Sequence, residues 1–220
     1  MSDSPISPIR RYLLMLAAVS GAVPYSLWAG TLLPTPRQTT GPFYPRGPDE
    51  LPVDDDNDLT RIRGRDGRAA GRHTDLIGRV MDTDGQPLRS TRVEIWQCDA
   101  NGRYHHPRDR RGGPLDDNFQ GHGHTLTDAE GRYRFRTIRP VPYPGRTPHI
   151  HAAVFPDGGE PLVTQIYVEG EPRNAGDFLF NRVPGDRRSR VVASFEPVDD
   201  PDIELQARFD IVVGETPEQA

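Results

Sequence analysis

From His73 onward, apolar and polar residues alternate in short runs, a period of two that puts successive side chains on opposite faces of a strand. "DLIGRVMD" reads as a strand, "TDGQPLRS" as the turn after it, and "TRVEIWQCD" as a second strand with Val93 and Ile95 on one face. Asn101-Gly102 in "ANGRY" supplies the next turn. Further strands are expected at "HTLTD", "GRYRFRTI", "HIHAAVF", "LVTQIYV", "RVVASFE" and "ELQARFDIVV", most of them bounded by Gly, Pro or Asp. Short strands with turn signals between them and no strand–helix–strand rhythm predict an all-β fold. The form expected is an antiparallel β-sandwich of about eight strands, with long loops and at most one or two short helices. One such helix is expected in "PRNAGDFLF".

Ahead of His73 the alternation is missing. Residues 30–48, "GTLLPTPRQTTGPFYPRGP", are rich in proline and aperiodic, so they read as an extended arm laid over a surface. "DELPVDDDNDLT" is acidic but lacks the spaced ligands of a calcium loop, and it reads as a solvated acidic loop. The first residues differ again: Arg10-Arg11, an apolar run from Leu13 to Val23, then Ala29. That order describes an export signal, and the paired arginines suggest the twin-arginine route, which carries proteins already folded around a cofactor. Pro24 and the short length argue against a full membrane span, and no stable span is expected after processing. The expected organisation is an export signal over 1–29, an arm and acidic loop over 30–72, and a catalytic β-sandwich over 73–220. The location implied is periplasmic or extracellular.

Composition narrows the functional classes. At 220 residues there is room for one sizeable core. Net charge is −5, and all 27 basic residues are arginines with no run on a helical face, which makes nucleic acid an unsuitable partner. Cys98 stands alone, so neither an intrachain disulfide nor a thiolate zinc cluster is available. At the end of an apolar strand, it is expected to be buried and inert.

Two histidines one residue apart, His149 and His151 in "RTPHIHAAVF", point the same way from a strand and can face one metal while Ile150 faces the core. Alone, such a pair is weak evidence. Tyr143 precedes it in "VPYPGRTPHIH", however, and Tyr104 closes the turn "DANGRY". A phenol with an ordinary pKa of about 10 becomes an anionic ligand at neutral pH only under a strong Lewis acid. Two tyrosinates and two neutral imidazoles form a hard, charge-rich set that suits Fe(III) better than zinc.

The stretches "TTGPFYP", "VEIWQCDANGRYHH", "DDNFQGHGHTLTDAEGRYRFRTIRPVPYPGRTPHIHAAVF" and "LVTQIYVEGEP" resemble intradiol ring-cleavage dioxygenases, the family of protocatechuate 3,4-dioxygenase and catechol 1,2-dioxygenase. The likeness runs in order from about Thr39 to Val213. It implies one non-haem Fe(III) per chain, held by Tyr104 as equatorial tyrosinate, Tyr143 as axial tyrosinate, His149 and His151. It also implies that Tyr143 takes a proton from the bound catechol, that Arg146 stabilises developing negative charge, and that Gln165 shapes the pocket. Both atoms of O₂ would enter a catecholic substrate, giving a cis,cis-muconate-type product without an external reductant.

Two departures from the family pattern matter. Protocatechuate enzymes have a longer, tryptophan-bearing insert after the axial tyrosine, whereas Tyr143-Pro144-Gly145-Arg146 runs straight through. A more open pocket is expected on that side, and protocatechuate specificity does not transfer. His122 and His124 stand where an aromatic or aliphatic residue and an arginine are usual. His122 is expected to line the pocket; a second metal pair is the less economical reading. His105 and His106 read as ordinary loop residues, and Trp96 as core. A non-catalytic secreted β-sandwich binding module is the alternative in another class, but it has no need for this tyrosine–histidine–arginine set. A zinc hydrolase lacks a carboxylate as third ligand. The sequence leaves a homo-oligomer open.

Overall fold

The computed structural model describes residues 31–52, 54–111 and 113–214; the expected export signal lies outside them. The fold is all-β. Ten strands form two five-stranded sheets: β1 (His73–Asp82), β2 (Arg92–Trp96), β3 (His122–Leu126), β4 (Arg132–Ile138), β5 (His149–Phe155), β6 (Leu162–Val168), β7 (Val192–Ala193), β8 (Phe195–Pro197), β9 (Leu205–Arg208) and β10 (Ile211–Val213). Helix among the described residues is confined to α1 (Phe178–Arg182) and three 3-10 segments, Pro48–Glu50, Pro172–Gly176 and Gly185–Arg190.

In the first sheet β1 is the spine. It pairs antiparallel with β4 on one edge and in parallel with β9, then β10, on the other, while β8 pairs with β9. The second sheet runs β3-β2-β5-β6-β7, antiparallel except for the parallel pair β6/β7. Both strand count and direction thus differ from an eight-strand antiparallel expectation. "RVVASFE" divides because the chain changes sheets at Ser194, and "ELQARFDIVV" divides where Phe209-Asp210 interrupts the ladder. The parallel β6/β7 pair needs a crossover, which residues 172–190 supply as a string of short helical turns.

One apolar core lies between the sheets. Leu76, Val80 and Phe135 from the first meet Val93, Ile95, Ile150, Val154 and Ile166 from the second. The arm belongs to this body: Thr35 N–H donates to the Val212 carbonyl and Gln38 N–H to that of Val163, and Leu59 is fully buried in the core. The outer face of the second sheet decides where chemistry can occur. Ile150, Ala152 and Val154 of β5 point inward, so His149, His151 and Ala153 point outward. That outer face is covered by Phe43 and Tyr44 of the arm and by the loops carrying Tyr104 and Tyr143. Consequently β5 is buried on both faces, at six of its seven positions.

β1 has no room for a side chain at Gly78, where a Cβ would lie 1.9 Å from the Phe209 carbonyl oxygen. Gly78→Ala is expected to push β9–β10 off the spine and destabilise the fold by about 1–3 kcal/mol, seen as a lower denaturant midpoint at unchanged slope.

Candidate metal centre

A row of side chains crosses the outer face of the second sheet. The register pairs His122 with Trp96, Trp96 with His151 and His151 with Gln165 across β3, β2, β5 and β6. The Trp96 ring stacks on the imidazole of His151 at 4.8 Å with an interplanar angle of 6°. His149 lies 4.9 Å from His151 between ring centres.

Two loops bring the phenols to these imidazoles. Asp99 accepts the N–H groups of Asn101 and Arg103 and so forms the turn ahead of Tyr104. Gly102 in that turn has φ +75°, and a Cβ there would meet the Pro142 carbonyl at 3.2 Å, so glycine lets the two loops touch. Tyr143-Pro144-Gly145-Arg146 is a tight turn closed by Arg146 N–H on the Tyr143 carbonyl at 2.9 Å, with Gly145 at φ +83°. Pro followed by a left-handed Gly is the composition this turn demands. Ring centres then stand 5.7 Å apart for Tyr104–Tyr143, 6.4 Å for Tyr104–His151 and 5.5 Å for Tyr143–His149. All four residues expected as ligands therefore converge on one place.

Their protonation follows from burial. Burial, then the Arg146 cation, pushes His149 down to about 3, and burial, His149 and Arg146 push His151 well below the ordinary imidazole value. Both rings are neutral. His149 Nδ1–H donates to the Thr147 carbonyl at 2.7 Å, which leaves the Nε2 lone pair free for a ligand. Arg146 Nη1 now donates to it at 3.3 Å. Burial raises both phenols, for Tyr104 with Tyr143 beside it and for Tyr143 against the opposing pull of Arg146. Among the described residues, Tyr104 Oη and His151 Nδ1 have no hydrogen-bond partner. Nor does any group of three or more His, Cys, Asp or Glu stand ready to hold a metal. An ion here would be held by phenols and imidazoles, and a trivalent Lewis acid is what turns buried phenols into anions.

Arg146 is fixed from three sides: its Nε donates to Asp177 at 2.8 Å, its Nη2 to Gln165 Oε1 at 2.7 Å, and its Nη1 faces His149. Gln165 in turn donates from Nε2 to the Thr39 carbonyl of the arm at 3.2 Å. Asp177 also accepts the N–H groups of Thr147, Leu179 and Phe180, making it both the cap of α1 and the counter-charge of Arg146. A cleft of about 660 Å³ opens beside this group, between Pro142–Thr147 and Pro172–Asp177. The short Tyr143–Arg146 turn thus leaves that side open.

Several site residues escaped sequence reasoning. Asp177 carried a cap signal before "FLF" but no hint of its second role. Phe43, Asp109 and Arg111 pack around the phenols, and none of them was singled out from the sequence. The other histidines need correction. His122 does not line the cleft beside Tyr143. It is buried across β2, with Nδ1 at 2.9 Å from Asp55 and Nε2 at 3.4 Å from Glu94, on a smaller cleft that Tyr44 shares. His124 lies 3.1 Å from the other Asp55 oxygen. His106 lies in a loop as expected, and it is buried there with Nε2 at 3.2 Å from Glu50. Trp96 is core as expected, and so is Cys98, whose thiol burial pushes up to about 12.

Fold and pocket together define a β-sheet protein with a buried phenol–imidazole site fit for one hard metal ion. A family model described as Dioxygenase matches residues 40–215. The chain belongs to the intradiol ring-cleavage dioxygenase family. The β chain of protocatechuate 3,4-dioxygenase from Burkholderia cepacia is 45% identical over 148 residues, covering 64% of this chain and 63% of that one. Catechol 1,2-dioxygenase from Acinetobacter baylyi is 33% identical over 184 residues, covering 75% and 55%. The chain therefore spans less than two thirds of the length of these curated relatives. Among solved structures, the dioxygenase domain of a dioxygenase carbohydrate-binding protein fusion from Streptomyces sp. SirexAA-E is similar at TM-score 0.61 and 28% identity, covering 82% of this chain and 97% of that one.

The His122 network has a pH signature. Burial alone would lower His122, but Asp55 and Glu94 outweigh it and raise it above the ordinary 6.5. Burial of Glu94 is likewise outweighed by His122, Arg92 and Tyr44, taking that carboxyl from 4.5 to about 2. A raised imidazole stabilises the fold fully below its unfolded value and less as pH climbs through the folded one; a lowered carboxyl stabilises it above its unfolded value and less as pH falls toward the folded one. His122→Asn is therefore expected to lose more stability at about pH 5.5 than at about pH 9, read from denaturant midpoints of both proteins at each pH.

Proposed function

We propose that this chain is a non-haem Fe(III) intradiol dioxygenase that inserts both atoms of O₂ into a catecholic ring, giving a cis,cis-muconate-type product. The observation that carries this reading is the convergence of Tyr104, Tyr143, His149 and His151, with Tyr104 Oη and His151 Nδ1 left without a hydrogen-bond partner among the described residues. Those four residues would hold one ferric ion per chain. When bound, the ion would supply a Lewis acid that makes the catechol hydroxyls more acidic and activates the ring toward O₂.

The chain's own residues do the rest. Tyr143 sits on the edge of the open cleft, where its Oη, as the phenolate that a bound ion would make of it, would take a proton from an incoming catechol hydroxyl. Arg146, at the same edge and fully paired, presents a fixed cation to negative charge developing on the ring. Gln165 orients Arg146 through the 2.7 Å hydrogen bond and ties it to the arm through Thr39. The imidazoles, held neutral by burial, keep their lone pairs for the metal. Names of the relatives support a catechol as substrate class. The paired Arg10-Arg11 and the apolar run after them support export, with the chain working outside the cytoplasm on aromatic compounds. Cell fractionation tests this last point, and full-length protein in the cytosol would overturn it.

Tyr143→Phe keeps the ring and removes the acceptor oxygen. Turnover, followed as O₂ uptake with catechol, is expected to fall by about a hundredfold or more, with an altered visible phenolate-to-iron band. Visible absorption and metal analysis of both proteins, before and after anaerobic catechol, check it. Full iron content, unchanged colour and full turnover in the variant would remove Tyr143 from the site.

A further inference from the structure

The loop after Tyr104 holds a second charged pair that the reaction outlined above does not use. Asp109 is completely buried at its side chain. It accepts the backbone N–H of Tyr104 at 2.8 Å and that of Arg111 at 3.1 Å, and both Nε (2.8 Å) and Nη2 of the Arg111 guanidinium donate to it. Its backbone carbonyl accepts from Arg103 Nη2 at 2.9 Å, so the loop is closed around it.

This fork fixes where the guanidinium lies. Arg111 Cζ stands 4.6 Å from the centre of the Tyr143 ring and 5.4 Å from that of Phe43. Phe43 in turn stacks on Tyr104 at 4.6 Å, and the two tyrosine rings meet edge to face. One aspartate–arginine pair thus touches the backbone of one phenol residue and the ring of the other. A surface arginine has no reason to lie over a partly buried ring with two donors committed to a buried carboxylate. A guanidinium held flat by a bidentate partner can settle on an aromatic face, and an ammonium on a flexible stem cannot do the same.

We infer that Arg111, locked by Asp109, is a positioning residue for Tyr143. It is the wall that sets the phenol ring against His149, and through Asp109 the same pair keeps Tyr104 in register. The metal-related consequence rests on the proposed function, since it takes the two phenols to be ligands. Arg111 itself touches neither substrate nor ion.

Two variants and two readouts test this. Arg111→Met keeps the length and apolar bulk; Arg111→Lys keeps the charge beside Asp109, which protects folding, and removes the planar fork. On metal-free protein, the Tyr143 ring resonances, assigned by their disappearance in Tyr143→Phe, are expected to shift in both variants. On titration with ferric iron, affinity is expected to fall about tenfold to a hundredfold, the visible band to move, and kcat with catechol to drop more than KM changes. Wild-type Tyr143 resonances in both variants would overturn the inference. Shifted resonances with wild-type iron affinity, band and kcat would also overturn it, because the placement would then have no consequence for the site. If wild-type protein binds no ferric iron at all, the proposed function fails, and the resonances of the metal-free variants alone decide whether Arg111 positions the ring.

Discussion

The arrangement depends on how many ionisable groups are buried on one face of one sheet. β5 is covered on both sides, so burial disfavours charge on His149 and His151, and His149 already commits its Nδ1 to the Thr147 carbonyl. The cation beside them survives because Asp177 sits 2.8 Å away. Breaking such a buried pair by deleting one partner costs on the order of 3–5 kcal/mol, since it strands the other charge. Asp177 therefore cannot be spared, and its remaining contacts follow. By accepting the N–H of Thr147 it fixes the residue whose carbonyl orients His149. It also caps α1 and itself stands in the wall of the cleft. One carboxylate links the orientation of His149, the fixed cation and the cleft.

The strands were legible because alternation survives wherever one face meets the core; β5 and β6 match the runs "HIHAAVF" and "LVTQIYV" residue for residue. Breaks within strands were not. Nothing in "RVVASFE" marks Ser194 as the point where the chain leaves one sheet for the other, because both halves alternate equally well and tertiary pairing decides. The four candidate ligands were legible because phenols and imidazoles near tight turns have few other reasons to cluster. What supports them was not. Asp109, Arg111 and Asp177 are charged residues in loops, and local pattern assigns such residues to solvent. Asp109 and Asp177 are buried because each is paired with an arginine, Arg111 and Arg146, and takes backbone N–H groups besides, which the local pattern does not show.

The arm shows the same limit from another side. Its prolines predicted an extended strap, and its backbone hydrogen-bonds to Val212 and Val163 of the two sheets. Its contribution to the site comes from backbone and shape: the Thr39 carbonyl receives Gln165, and Gly41 at φ +68° comes so close to His151 that a Cβ would sit 3.3 Å from the ring. Glycine is needed there for both conformation and space. Phe43 and Tyr44 then close the outer face over Tyr104 and Trp96.

Trp96 shows that the site is kept at some cost in stability. It is 1% exposed, yet among the described residues its Nε1–H has no acceptor, a deficit of about 1–3 kcal/mol. A phenylalanine would avoid that deficit, but with less flat surface to lie against an imidazole. The indole spans the gap between two polar systems, stacking on His151 on one side while Tyr44, bonded to Glu94, packs on the other. It separates His149 and His151, which burial shifts down, from the His122–Asp55–Glu94 network, where the two carboxylates shift an imidazole up. Two histidine clusters on one sheet face are thus shifted in opposite directions, by carboxylates on one side and by burial and Arg146 on the other, with an apolar ring between them whose indole N–H is left unsatisfied.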